Sequence, residues 1–233
     1  MARIINQEEY DLHRDKILDT AQRLVYTKAY EQLSIQDILA EVQISKGAFY
    51  HYFASKQALL EALIARIAEQ GTQVMAPIIH DESLSATEKL LRSFDTATRW
   101  KAARKDYLLT LVKVWYADEN AVLRLKSQEA VIALVTPLLT SVVRQGVEEG
   151  VFHTKYPEQS CQIIFSMLLS MGESMIKQLV RPDPDPHIVP YLKALTASYQ
   201  QAMERILGAA PGSLPIFDPV ILEEWFPPSN DHK

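Results

Sequence analysis

The chain has 233 residues, 48% of them hydrophobic and 23% charged, with a formal net charge of −5, which describes an ordinary globular protein with room for one large domain or two small ones. Its single Cys161 excludes an internal disulfide and a Cys-rich zinc site and fits a reducing cytoplasm. No basic-then-apolar leader precedes Ile4 and no run of 18 apolar residues occurs, so neither a signal peptide nor a membrane span is expected. Glycine is sparse and strand-like alternation scarce, which tilts the expectation towards an all-α protein.

In chain order, the arm Met1 to Gln7 carries Arg3, and Leu12, Ile17, Leu18, Ala21, Leu24 and Val25 predict a helix from about Glu8 to Tyr26. Ser34 reads as an N-cap, with Asp37 three residues on where a carboxylate favours the positive end of a helix. Ile35, Ile38, Leu39 and Val42 would be the buried side of that short element. Ser45 and Ser55 are further caps at intervals of eleven and ten residues, so the helices between them are about two turns long. Three starts this close have the spacing of a helix-turn-helix. From Ser55 a longer helix is predicted to about Val74, with a break at Pro77 and the polar stretch around His80 to Ser83.

Further on, Ser85-Ala-Thr-Glu88 is a capping box ahead of an amphipathic helix through Trp100. Helices are predicted over Tyr107 to Tyr116 and about Glu119 to Glu149, the second containing Pro137 and closed by Gly150. Pro157 suits a first helical turn, and Cys161 to Val180 is apolar on nearly every face. The prolines of residues 181–186 end that element, and a last helix is predicted over about Ile188 to Leu207. Residues 208–233 hold five prolines and read as a Pro-rich tail, irregular or loose.

The run SKGAFYHYF, Ser45 to Phe53, carries the most information. On a helix capped by Ser45, Phe49, Tyr52 and Phe53 turn inward against Ile38 and Leu39, leaving Lys46, Gly47, Tyr50 and His51 outside. No acid occurs between Glu41 and Glu61, so Tyr50, His51 and Lys46 can meet phosphate oxygens without repulsion. Gly47 and Ala48 let a helix approach base edges, with the Ala48 methyl suited to a thymine methyl. Lys56, at the start of the next helix, adds a further phosphate contact.

These residues resemble the DNA-reading core of the TetR family of bacterial transcriptional regulators. The resemblance covers about residues 11 to 71 and rests on Ser34-Ile-Gln-Asp-Ile38, Val42-Gln-Ile-Ser45, Lys46-Gly47 and Tyr50-His-Tyr-Phe53 followed by Ser55-Lys56. It implies an all-α homodimer of the bacterial cytoplasm with a DNA-binding domain at 11–71, its helix-turn-helix at about 34–53. A helical ligand-binding and dimerisation domain would follow at 72–207, then the tail at 208–233. By that pattern Ser34, Gln36, Ser45, Lys46, Gly47, Ala48, Tyr50, His51 and Lys56 contact double-stranded operator DNA. Two departures stand out. Gln43 fills the turn position where the family places glycine, which would force a positive φ on it, and Thr27-Lys-Ala-Tyr30 lacks the family's glycine.

Over residues 1–70 eight Lys/Arg face ten Asp/Glu, a net of −2, so affinity must come from neutral hydrogen bonds, helix ends and two heads acting together. Phe165, Leu168, Met175 and Leu179, with Tyr191, Leu195 and Tyr199 of the last helix, are the candidate two-fold, four-helix interface. Phe94, Trp100, Tyr107, Trp115, Tyr116, Met167 and Met171 are each candidate core residues; together they are the candidate wall of a pocket for a small apolar or aromatic effector. Enzyme readings are poor. Glu149 and His153 flank Gly150 at a helix end, and Asp183, Asp185 and His187 read as linker charges that could at most clutch a cation. No cofactor is expected. The reading is a repressor released by an inducer; the alternative is an activator or a helical interaction protein without a small-molecule ligand.

Overall fold

The computed structural model describes residues 7–28, 30–117, 120–181, 185 and 187–226. The arm carrying Arg3, Glu119, most of the 181–186 run including Asp183, and residues 227–233 lie outside the described residues. The all-α expectation holds, with no strand among the described residues. The helices are α1 (Gln7–Lys28), α2 (Ile35–Val42), α3 (Lys46–Tyr52), α4 (Lys56–Ile79) and α5 (Ala86–Ala102). They continue with α6 (Lys105–Trp115), α7 (Ala121–Glu148), α8 (Pro157–Leu179), α9 (Ile188–Leu207) and α10 (Pro219–Trp225).

The chain forms two compact units, Met1–Ala68 with Asp106–Ser127, and Glu69–Lys105 with Gln128–Lys233. In the first, Ile17, Leu18, Ala21 and Val25 of α1 meet Ile38, Leu39 and Val42 of α2, Phe49 of α3 and Leu59, Leu60 and Leu63 of α4. The i, i+3/i+4 spacing read in the sequence is what gathers these side chains onto one face of each helix. Arg66 of α4 ties back to α1 through Asp15 at 2.9 Å and Asp19 at 2.5 Å, with its own side chain only 14% exposed. Tyr107, Leu111 and Trp115 of α6 complete this core, and Tyr26 stacks on Tyr107 at 4.8 Å.

The second unit is built on Val135, Leu139, Val142 and Val143 of α7, Cys161 and Ile164 of α8, and Met203 and Leu207 of α9. By length and composition α7 could cross a membrane, a feature that core helices share, and these residues give it that core role. Glu149, weighed above as a partner of His153, accepts the Ala86 backbone N–H at 3.0 Å and so caps α5. The His153 backbone N–H instead donates to Leu207 O at 2.7 Å.

Two expectations are corrected. The helix expected to end at about Val74 runs through Pro77 to Ile79, because a proline in the last turn forfeits one hydrogen bond while buried Ile79 still anchors that turn in the core, and the chain breaks at the polar stretch from His80. The tail is not loose over its described part. Leu214 and Ile216 enter the core, Glu204 accepts the backbone N–H groups of Gly212 at 3.0 Å and Leu214 at 3.1 Å, and Asp218 caps α10. Alternation of proline with Leu214, Ile216, Ile221 and Leu222 reads as irregular in one dimension but packs as a strap in three.

Candidate nucleic-acid interface

The local geometry follows from three serines. Ser34 accepts the Asp37 backbone N–H at 3.2 Å, and Asp37 returns a bond to the Ser34 N–H at 2.9 Å, closing a capping box on α2. Ser45 accepts the Ala48 N–H at 3.1 Å and Ser55 the Ala58 N–H at 3.0 Å. Between α2 and α3 the chain reverses through Gln43 at φ 60°, ψ 47°, the one non-glycine residue with positive φ among the described residues. The strain expected from the missing glycine is therefore present at the turn.

The two sides of α3 separate cleanly. Phe49 is fully buried and Phe53 nearly so, whereas Tyr50 is 41% exposed and Lys46, Gly47 and His51 are exposed. Tyr52 is half-buried and packs its ring on Tyr10 of α1 rather than in the centre of the core. Lys46 Nζ lies 5.9 Å from the Tyr50 ring centre. A Cβ added to Gly47 would meet nothing closer than Ser45 Oγ at 3.8 Å, and the residue has no positive φ. Nothing inside the chain requires glycine there.

Ser34, Gln36, Lys46, Tyr50 and Lys56, drawn from α2, α3 and α4, line one open cleft of ≈ 450 Å³ together with Glu31. Ser45, Gly47, Ala48 and His51 are not among its lining residues. The Ser34 hydroxyl gives its proton to Asp37 Oδ2 at 2.7 Å, so it has none left to donate to a phosphate. Ser45 uses its oxygen as acceptor and keeps its proton available.

Electrostatics sharpens the same face. Arg23 pairs with Glu41 at 2.8 Å and Lys28 with Asp37 at 2.7 Å, while Arg66 holds Asp15 and Asp19. The Lys28 hydrogen bond, then those from Ser34, hold the Asp37 carboxyl well below the usual carboxylate range. Lys46 and Lys56 have no ion pair among the described residues, whereas Glu41, Asp37, Asp15 and Asp19 are each paired with a cation. Partial burial lowers the Lys56 ammonium pKa, and Glu31 opposes that shift.

Three residues of this region escaped the sequence reading. Tyr10 packs on His51 at 5.6 Å and on Tyr52 at 4.9 Å, Tyr30 lies under Lys56, and Glu31 faces the cleft. Their partners are 25 to 42 positions away, and no local pattern signals such pairs.

The family model of the bacterial regulatory proteins, tetR family, matches residues 17–63, which hold all of α2 and α3 with parts of α1 and α4. Residues 17–63 thus carry the TetR-family N-terminal domain. A second model from that family, the tetracyclin repressor-like C-terminal domain, matches residues 110–176. An uncharacterised HTH-type transcriptional regulator of Bacillus subtilis, YuxN, is 50% identical over 48 residues, 21% of this chain and only 16% of that protein's length. The B. subtilis regulator YfiR is 22% identical over 187 residues, 78% of this chain and 86% of its own. A transcriptional regulator from Cytophaga hutchinsonii shares the fold, with a TM-score of 0.59 at 18% identity over 90% of this chain and 96% of that one. TetR-family helix-turn-helix regulators, whose model residues 17–63 match, are DNA-binding regulators and not enzymes.

The remaining candidate residues are divided between the two units. Tyr107, Trp115 and Tyr116 pack in or on the core of the first unit, whereas Phe94 flanks that of the second and Met171 is buried in α8. Trp100 carries the Arg104 guanidinium 4.5 Å above its ring, and Met167 is half-buried. The ≈ 290 Å³ cavity of the second unit is lined by none of the seven. Of the interface candidates, Phe165 and Leu168 flank the main core, and Tyr199 is half-buried. Met175, Leu179 and Leu195 pack with Leu222, Trp225 and Phe226 at α10, and Tyr191 is 55% exposed. Part of the apolar surface that the sequence reading gave to a second subunit is thus covered by the chain's own C-terminal strap.

Proposed function

We propose that the chain is a homodimeric repressor of the bacterial cytoplasm that inserts α3 into the major groove and leaves its operator when a small apolar or aromatic effector binds. The observation that carries the DNA role is the acid-free outer side of α3, where Lys46, Gly47, Tyr50 and His51 are exposed and the glycine answers to no internal need. Lys46 and Gly47 then approach base edges, while Ser45, Tyr50, His51 and Lys56 hold phosphates. Gln36 lines the same cleft and meets backbone or base, and Ser34 serves as the cap that aims α2.

Residues 11–71 are the reading head, 72–207 the sensing and pairing body, and 208–233 a Pro-rich C-terminal tail. Two heads on a near-palindrome would meet half-sites about 34–36 Å apart or somewhat more. An effector releases DNA only by binding the DNA-incompetent state more tightly, so its action is a population shift. The half-exposed apolar surface of α8 and α9, with Ile163 at 53% and Tyr191 at 55%, supports pairing of two bodies.

A fluorescence-anisotropy titration with the promoter duplex next to the chain's own gene tests this. Salt-sensitive binding that collapses in Lys46→Ala/Tyr50→Phe is expected; binding unchanged in that variant removes the assignment. A screen for compounds that release the duplex, read beside sedimentation of the free protein, separates an inducible dimer from a regulator without a ligand.

A further inference from the structure

Tyr30 is 4% exposed and lies outside both the capped turns and the groove-facing side of α3. Its hydroxyl donates to Lys56 O at 2.6 Å, 26 residues along the chain. The same ring lies 4.7 Å below Lys56 Nζ, which also donates to Glu31 O at 3.4 Å. One buried tyrosine therefore holds both the backbone where α4 begins and the ammonium of that residue. The ammonium is presented to the cleft that Gln36, Lys46 and Tyr50 line.

We infer that Tyr30 is a positioning residue for the DNA-backbone contact: it holds the Lys56 ammonium over its ring at the mouth of the cleft, so that a phosphate meets an already oriented charge. The inference rests on the DNA reading of this face. A free lysine side chain carries about 2 kcal/mol of rotamer entropy, part of which is lost whenever a phosphate fixes it. A ring beneath the charge makes part of that loss before DNA arrives, and the negative face of the ring keeps the ammonium attractive to an anion on its other side. Glu31, exposed at the same cleft, opposes a phosphate there.

The test is a double-mutant cycle on the full chain, reading the dependence of operator affinity on salt. Lys56→Ala is expected to lower the log–log salt slope by about 0.9, one phosphate contact. Tyr30→Leu should lower it in the same direction and weaken binding roughly two- to fivefold, the range of an exposed cation–π contact. Tyr30→Phe, which keeps the ring and loses the hydroxyl, should restore the slope relative to Tyr30→Leu while melting at a lower temperature. In the Tyr30→Leu/Lys56→Ala pair the tyrosine change should add nothing to the slope.

A slope that Lys56→Ala leaves untouched overturns the phosphate role of Lys56 and the DNA reading behind it. A slope lowered by Lys56→Ala but equal in Tyr30→Leu and the parent overturns the positioning role alone. Additive losses in the double variant, or equal slopes for Tyr30→Phe and Tyr30→Leu, also sink it, since either reduces Tyr30 to a fold-stabilising residue.

Discussion

Replacing Gly47 by alanine sets protein stability against DNA binding at one methyl group. Gly47 is the second residue of α3, has no positive φ, and has only Ser45 Oγ within 4 Å of the place a Cβ would occupy, at 3.8 Å. Alanine there removes conformational freedom from the unfolded chain without a clash in the folded one, a gain of about 0.4–1 kcal/mol. At roughly 2–4 °C per kcal/mol for a chain of this size, Tm should rise by about 1–4 °C. In the proposed complex with DNA the same methyl would stand on the side of α3 that meets base edges and push the helix outward. Loss of contacts worth one bidentate base pairing costs about 1–3 kcal/mol, a roughly five- to 150-fold weaker operator complex. Thermal melting and anisotropy with the promoter duplex read the two effects on one preparation. Parent-like affinity, or a fall in Tm, would refute the claim that this glycine is kept for an external surface.

Three other substitutions probe the same logic. Gln43→Gly removes a side chain from a left-handed turn at φ 60° and should stabilise by about 0.5–1 kcal/mol; a lower Tm would mean the Gln43 side chain contributes more than its backbone costs. Gly146→Ala places a Cβ within 3 Å of the buried Phe152 ring, so it should cost about 1–3 kcal/mol and lower Tm by several degrees; an unchanged melt would show that the ring has room to yield. The Asp37 pKa is lowered chiefly by the Lys28 hydrogen bond and then by Ser34, so its folded value lies below the unfolded one of about 3.9. Its contribution is complete above the unfolded value and is lost as pH falls towards the folded one. Asp37→Asn should accordingly flatten the decline of Tm between roughly pH 5 and 2.5; a parallel decline would place the acid sensitivity elsewhere.

Much of the reading head was legible in sequence, and the reason is the range of the interactions. Ser34, Ser45 and Ser55 each bond a backbone N–H three residues on, so the caps and the lengths of α2 and α3 are written within a single turn of chain. The demand for positive φ at Gln43 is equally local, being set by the distance between the end of α2 and the Ser45 cap. The division of α3 into a buried ring side and an exposed Lys46–Gly47–Tyr50–His51 side follows from helical periodicity alone.

What the sequence did not show depends on partners far apart in the chain. Tyr107 and Trp115 read singly as core residues, but which core they join is settled only by the packing of α6 in the first unit, where the Tyr107 ring stacks on Tyr26 of α1. Proline spacing marked the tail as irregular, yet Glu204 and the apolar residues of α8 and α9 give its backbone N–H groups and side chains a place to bury. Cap chemistry and periodicity, both short-ranged, were determined by the amino-acid order itself. The residues that Tyr30, α6 and α10 meet were decided only by the tertiary structure, because burial is settled between segments that the chain must first bring together.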